Sequence, residues 1–368
     1  MRFHVLNLPH TNTTDAYSAC AFTEKARKFC IMMKNRGHTV FLYAGDENQA
    51  PCDEHVSCIS EAERAAHVGD KHYIFASFDY NLPVWRAFNG RAAAAIRERA
   101  QPHDFIISFG GLAHKQVADA LPHMRFVEAG IGYGGTFSPF RVWESEAWKH
   151  TCYGAASGGN PNAVDGRFFD AVIPGYFEVE RFPFRALKDD YCFFIGRLTE
   201  RKGWRIAVEV CADLGVKLVL AGQMDPGVAI PAGCEYVGVI GPEERGRLMA
   251  GAKAVFVPTI YVEPFGNVAV EAQGCGTPVI TTDWGAFTET VIDGVTGFRC
   301  HTFGEFKRAV EKAHTLNSYA IRQHAIRNYS LEVIGEKYER YFERLSRLWN
   351  ADPVNGGWYE GRTRLCAA

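Results

Sequence analysis

Between Ala254 and Thr281 the chain runs strand, turn, helix, stop and strand, and this most restricts what it can become. The apolar run Ala254 to Pro258 leads through Pro264-Phe265-Gly266 into a helix pattern from Val268 to Gln273. Gly274-Cys275-Gly276 then stops the helix, and a second apolar run spans Pro278 to Thr281. A strand, helix and strand at this spacing form a βαβ unit, hence a parallel sheet. Where the strand turns into the helix, free backbone N–H groups and the positive end of the helix dipole suit an anion. Two carboxylates bracket that point: Glu263 in the turn and Glu271 about one turn into the helix. Carboxylates beside an anion site suit sugar hydroxyls, which need strong acceptors.

The same alternation fills the rest of the chain. In the first half, Phe3 to Asn7, Thr39 to Tyr43, Tyr73 to Phe75, Phe105 to Ser108, Arg125 to Glu128 and Ala171 to Pro174 read as strands. Asp15 to Arg36, Pro83 to Glu98 and His114 to Leu121 read as helices. In the second half, strands at Tyr191 to Ile195, Lys217 to Ala221 and Tyr236 to Val239 alternate with helices at Trp204 to Leu214 and Glu243 to Ala250. Phe303 to Trp349 is helical and amphipathic. The expected organisation is two Rossmann-like parallel-sheet domains, an α/β class. The first covers 1–175, residues 176–190 are a hinge, 191–345 form the second domain, and 346–368 return to the first. Such a pair places a cleft at the carboxyl ends of both sheets.

Charge narrows the partners. A net charge of -2 argues against a bulk electrostatic partner. The 11 cysteines carry no C-x-x-C pair and read as reduced thiols inside apolar runs. No window approaches a membrane span, Met1 to Asn7 reads as a strand rather than a leader, and a cytoplasmic location is expected.

A second cluster supplies cations. The strand Tyr191 to Ile195 ends in Gly196, Arg197, Leu198, Thr199, Glu200, Arg201, Lys202 and Gly203. Gly196 permits a sharp turn, Arg197 offers a planar fork for phosphate oxygens, and Lys202 offers a point charge. A solvated basic surface is the competing reading.

Together these motifs resemble the donor-binding half of retaining glycosyltransferases of family four, which have the GT-B fold. The resemblance rests on Gly196-Arg197-Leu198 with Lys202-Gly203, Glu263-Pro264-Phe265-Gly266 with Glu271-Ala272, Gly276-Thr277-Pro278-Val279-Ile280, and Asp293-Gly294-Val295-Thr296-Gly297-Phe298. It covers Cys192 to Phe298, in order. It implies a nucleotide-diphosphate sugar, UDP- or GDP-linked, as donor, and no cofactor or metal. It implies Arg197 and Lys202 on the diphosphate, Glu271 on the ribose hydroxyls and Glu263 near the donor sugar. Gly266, Asn267 and Val268 would approach the donor through their backbone, and Gly238-Val239-Ile240 would hold the base.

The first half resembles that family less. Members carry a Gly-Gly pair in the first loop, where this chain has Pro9-His10-Thr11-Asn12-Thr13-Thr14-Asp15. Thr13 is the candidate contact there, and a plain helix-capping loop is the alternative. Members also place a His after a middle strand. Here Val127-Glu128-Ala129-Gly130 stands at that place, leaving Glu128 or His114 as candidates. Gly130-Ile131-Gly132-Tyr133-Gly134-Gly135 fits a dinucleotide fingerprint only formally, because Pro139 interrupts the helix it needs. Trp143 and Trp148 read as core before ligand platform. The acceptor stays unassigned. Lys25, Arg27, Lys28, Lys34 and Arg36 leave a peripheral membrane or a modified nucleic acid open, or a solvated helix face. The rivals to a transferase are a non-catalytic sugar-nucleotide or glycan-binding module and a GT-B epimerase or phosphorylase.

Overall fold

A computed structural model describes residues 1–225 and 227–348 of the chain. The chain divides into two compact units. The first comprises Met1–Glu144, Cys152–Tyr176 and the residues from Ile334, and the second Ser145–Thr151 and Phe177–Val333.

The first unit is built on seven strands: β1 Arg2–Leu6, β2 Thr39–Gly45, β3 Glu54–Ile59, β4 Phe105–Ser108, β5 Arg125–Ile131, β6 Phe140–Trp143 and β7 Ala171–Val172. Their order is β3-β2-β1-β4-β5-β6-β7, all parallel. The second unit has six: β8 Tyr191–Ile195, β9 Lys217–Ala221, β10 Cys234–Tyr236, β11 Ala254–Val257, β12 Val279–Thr282 and β13 Gly297–Cys300. Their order is β10-β9-β8-β11-β12-β13, again all parallel. In each sheet the order reverses beside the first strand, between β1 and β4 and between β8 and β11. Open α/β sheets hold ligands at the carboxyl ends of the strands at such a switch point.

The central strands are buried on both faces and therefore read as continuous apolar runs, as in Tyr191–Ile195 and Ala254–Val257. Three elements differ from the sequence reading. Tyr73–Phe75 is a 3₁₀ turn without a buried residue, not a strand. Phe140–Trp143 is a strand where the sequence reading has no element, and a helix begins at Glu146. Glu54–Ile59 is an edge strand whose half-exposed polar residues hide it.

The last helix, Leu331–Ser346, explains why the boundary of the second unit falls at Val333 rather than 345. From Ile334 its apolar face belongs to the first sheet. Phe342 packs on Phe3 and Phe105 with ring centroids 4.7 and 5.1 Å away, and the Tyr341 hydroxyl donates to the Phe169 carbonyl at 2.8 Å. The segment 346–368 expected to return to the first domain lies, from 349 on, outside the described residues.

Every cysteine among the described residues is a free thiol. The cations of the first helix, Ala21–Asn35, are neutralised within the first unit. Lys25 pairs with Glu144, Arg27 and Lys28 with Glu24, Lys34 with Asp53, and Arg36 with Glu339. Among the described residues no helix is long and apolar enough to cross a membrane.

Candidate functional site

The second unit's switch point is assembled by close backbone packing. After β8, the Gly196 and Leu198 amides donate to the carbonyls of Ala221 and Gln223 at 3.1 and 2.8 Å. Gly222 sits at φ +120°, and a Cβ there would lie 2.0 Å from the Gly196 carbonyl oxygen. The loop then makes a 3₁₀ turn, Glu200–Lys202, and reaches Gly203 at φ +71°. A side chain on Gly203 would meet the Pro258 carbonyl oxygen at 2.0 Å, and the Ile260 amide donates to the Arg201 carbonyl at 2.9 Å. The loops after β8 and β11 are thereby fixed to one another.

That junction brings the predicted cation and carboxylate together. Lys202 Nζ lies 3.0 Å from Glu263 Oε2 and 4.9 Å from the centroid of the Tyr261 ring. Burial would lower the lysine's pKa, but Glu263 and Tyr261 more than offset it and raise it, so the ammonium stays charged. Arg197, on the same loop, is exposed and has no ion pair among the described residues.

Glu263 is anchored through its backbone. Its carbonyl accepts from the Ala286 amide at 3.0 Å. Phe265 is buried, stacked against Phe177 and edge-on to Tyr329. Gly266 caps the helix Asn267–Gly274 at φ +83°, where a Cβ would press into the Phe287 ring at 2.7 Å. The helix start has no side-chain cap, with Asn267 exposed and Val268 half-buried. One turn on, Glu271 places Oε2 3.5 Å from Arg245 Nη1. That oxygen is shielded from solvent and accepts no hydrogen bond among the described residues. Arg245 escaped the sequence reading because Glu243-Glu244-Arg245 looks like any charged helix start. The Gly222 amide donates to the Gly238 carbonyl at 2.7 Å, and Val239 beside it is 76% exposed.

The candidates of the first unit are placed differently. Thr13 is fully buried, and its hydroxyl accepts from Asn7 Nδ2 at 2.8 Å. His114 is buried against the rings of Trp85 and Phe88, with Nδ1 2.7 Å from Ser108 Oγ. Burial lowers its pKa to about 4. Glu128 Oε2 accepts from the Phe137 and Ser138 amides at 3.0 and 2.8 Å, and burial raises its pKa to about 7. Among the described residues no hydrogen bond joins these three, and each has an internal structural task. Trp143 is core, with Nε1 donating to Asp170 at 2.7 Å. Gly130-Gly135 leads from β5 into a loop and not into a helix. Among the described residues no cluster of three His, Cys, Asp or Glu side chains could hold a metal ion.

Residues 177–333, nearly the whole second unit, match the family Glycosyl transferases group 1. Two curated relatives extend the likeness. An uncharacterized glycosyltransferase of Methanocaldococcus jannaschii is 26% identical over 196 residues, 47% of this chain and 49% of the relative. A D-inositol 3-phosphate glycosyltransferase of Mycobacterium avium is 37% identical over 126 residues, 30% of each chain. The chain thus spans half or less of the length of the curated relatives it matches. Solved structures cover nearly all of it. Sucrose-phosphate synthase from Thermosynechococcus elongatus superimposes with a TM-score of 0.68 at 16% identity, covering 95% of this chain and 100% of that one. Anabaena HepE, crystallised in complex with UDP-glucose, gives 0.61 at 15% identity, covering 93% and 99%. The fold of this chain is GT-B.

Proposed function

We propose that the protein is a retaining glycosyltransferase that moves a sugar from a UDP- or GDP-linked donor to a hydroxyl acceptor. The carrying observation is the charged pair Lys202–Glu263 at the β8/β11 switch point, beside the unpaired Arg197 and the uncapped helix start at Asn267. Arg197 and Lys202 bind the diphosphate, and the backbone of Gly266, Asn267 and Val268 faces it or the sugar. Glu271 accepts from the ribose hydroxyls, which supply the hydrogen bond its buried oxygen lacks. Glu263 accepts from the donor sugar, and the loop at Val239 lies against the base.

In the reaction the bond from the anomeric carbon to the diphosphate oxygen breaks. The acceptor oxygen bonds to that carbon on the same face, and its proton passes to the departing phosphate oxygen. Charge growing on the diphosphate meets two fixed cations and a helix N-terminus, which stabilise it without reorganisation. With these charges in place neither a metal nor a cofactor is required. The curated relatives named as glycosyltransferases and the UDP-glucose complex of HepE support this reading.

The test is binding and slow hydrolysis of UDP-glucose and GDP-mannose. Wild type should bind and hydrolyse one of them, and Arg197→Ala and Glu271→Ala should abolish both. Tight nucleotide binding with no turnover on any acceptor would instead indicate a binding module, and unaltered variants would remove the proposed site.

A further inference from the structure

The first unit's switch point contains an imidazole that its own fold packs, against Trp85 and Phe78, but does not hydrogen-bond. His10 lies in the loop after β1 and is only 2% exposed. Among the described residues its buried Nδ1 has no hydrogen-bond partner. Thr11 and Thr13, in the same loop, are each satisfied, by Thr23 and Asn7. A buried polar group left without a partner costs about 1–3 kcal/mol, so the vacancy calls for a reason. Burial first, then His67 and Arg64, holds the His10 pKa down to about 4. The ring is therefore neutral, one nitrogen a donor and the other an acceptor, matched to a hydroxyl rather than to an anion.

The surroundings favour the same ligand. The Phe78 ring stands edge-on to His10 at 5.0 Å, and Phe22 lies 5.4 Å from Phe78. Phe78 is 39% exposed, and its neighbour Phe75 is 50% exposed. Rings open to solvent beside one unsatisfied donor–acceptor group form the apolar surface with few polar contacts typical of small-ligand sites. The edge-on C–H faces of a pyranose fit such rings, and its hydroxyls fit the imidazole. Against a phospholipid surface, the flanking Asp70 and Asp79 answer Lys71 with acid.

We propose that His10 and Phe78 form the acceptor subsite of the first unit, and that the acceptor is a carbohydrate. Phe78 stacks on a sugar ring, and His10 hydrogen-bonds one of its hydroxyls. This rests on the glycosyltransferase reading above.

The experiment incubates the full-length chain, and its His10→Gln and Phe78→Ala variants, with an array of immobilised mono- and oligosaccharides. Hydrolysis of UDP-glucose and GDP-mannose without acceptor is followed in parallel. Wild type should retain at least one glycan, and each variant should weaken that binding at least tenfold while donor hydrolysis stays within twofold. Because His10 is buried and its variant could unfold, the exposed Phe78 carries the test independently, with thermal melting as the check. Equal glycan binding by wild type and Phe78→Ala, or no glycan retained by wild type, overturns the subsite. So does cosedimentation of wild type with phosphatidylcholine–phosphatidylglycerol vesicles that Phe75→Ala abolishes, since that assigns the rings to a membrane. Absence of donor hydrolysis in wild type overturns the transferase reading instead, and the glycan array still decides the subsite.

Discussion

The two sheets share one strand order around their first strand and carry opposite chemistry at the same point. In the second unit the loop after the first strand presents Arg197 and Lys202, set by glycines whose neighbours leave no room for a side chain. In the first unit the equivalent loop buries hydroxyls and an imidazole, with Thr11, Thr13 and His10 all out of solvent. Sheet order supplies a location, and the loop decides whether charge or neutral hydrogen bonding is offered there. The charged version suits an anionic ligand, and the neutral version one that carries hydroxyls.

The comparison breaks most readily at the charged loop. Arg197→Ala and Glu271→Ala should each lower kcat/KM for the nucleotide sugar by about a hundredfold or more, the effect of removing one preorganised charge partner. Steady-state kinetics on donor hydrolysis measures it. The next largest effect concerns backbone. Gly203 and Gly37 both sit in the left-handed region, one per unit, but a Cβ at Gly37 meets nothing within 4 Å. Gly203→Ala should cost about 3 kcal/mol or more, since a backbone carbonyl must move, whereas Gly37→Ala should cost about 1 kcal/mol. Urea denaturation of both variants tests the contrast.

A third expectation concerns Glu128. Its pKa in the fold, about 7, stands above the ordinary carboxyl value. The protonated form is therefore favoured by folding, and that stability is fully present below the ordinary value and lost as pH rises through about 7. Glu128→Gln should then melt higher than wild type at pH 8, by the equivalent of about 3 kcal/mol, with the gap closing near pH 5. A gap that widens on acidification would contradict the assignment. The smallest effect is expected at Arg245, which only steadies Glu271 from 3.5 Å. Arg245→Ala should raise KM for the nucleotide sugar severalfold and leave kcat unchanged.

Much of the second unit was legible because its strands are buried on both faces and its turns need glycine. Tyr191–Ile195, Trp204–Leu214 and Lys217–Ala221 have the bounds read from sequence. The charged loop was legible because Arg197, Lys202 and Glu263 are close to two strand ends, which fixes where they emerge. Arg245 was not, since its relation to Glu271 depends on how two helices pack. In the first unit the half-exposed edge strand Glu54–Ile59 shows no apolar run, and the exposed aromatics of Tyr73–Phe75 imitate one. His10 could not be singled out either, because an unsatisfied nitrogen is a property of surroundings and not of residue type.

The packing of Phe342 on Phe3 has a consequence for biosynthesis. The first sheet cannot complete its apolar cover until residues near the far end of the chain have left the ribosome. At roughly 5–20 residues per second that delay is on the order of tens of seconds. During it the 177–333 segment can fold first, and the sheet begun earliest is finished last.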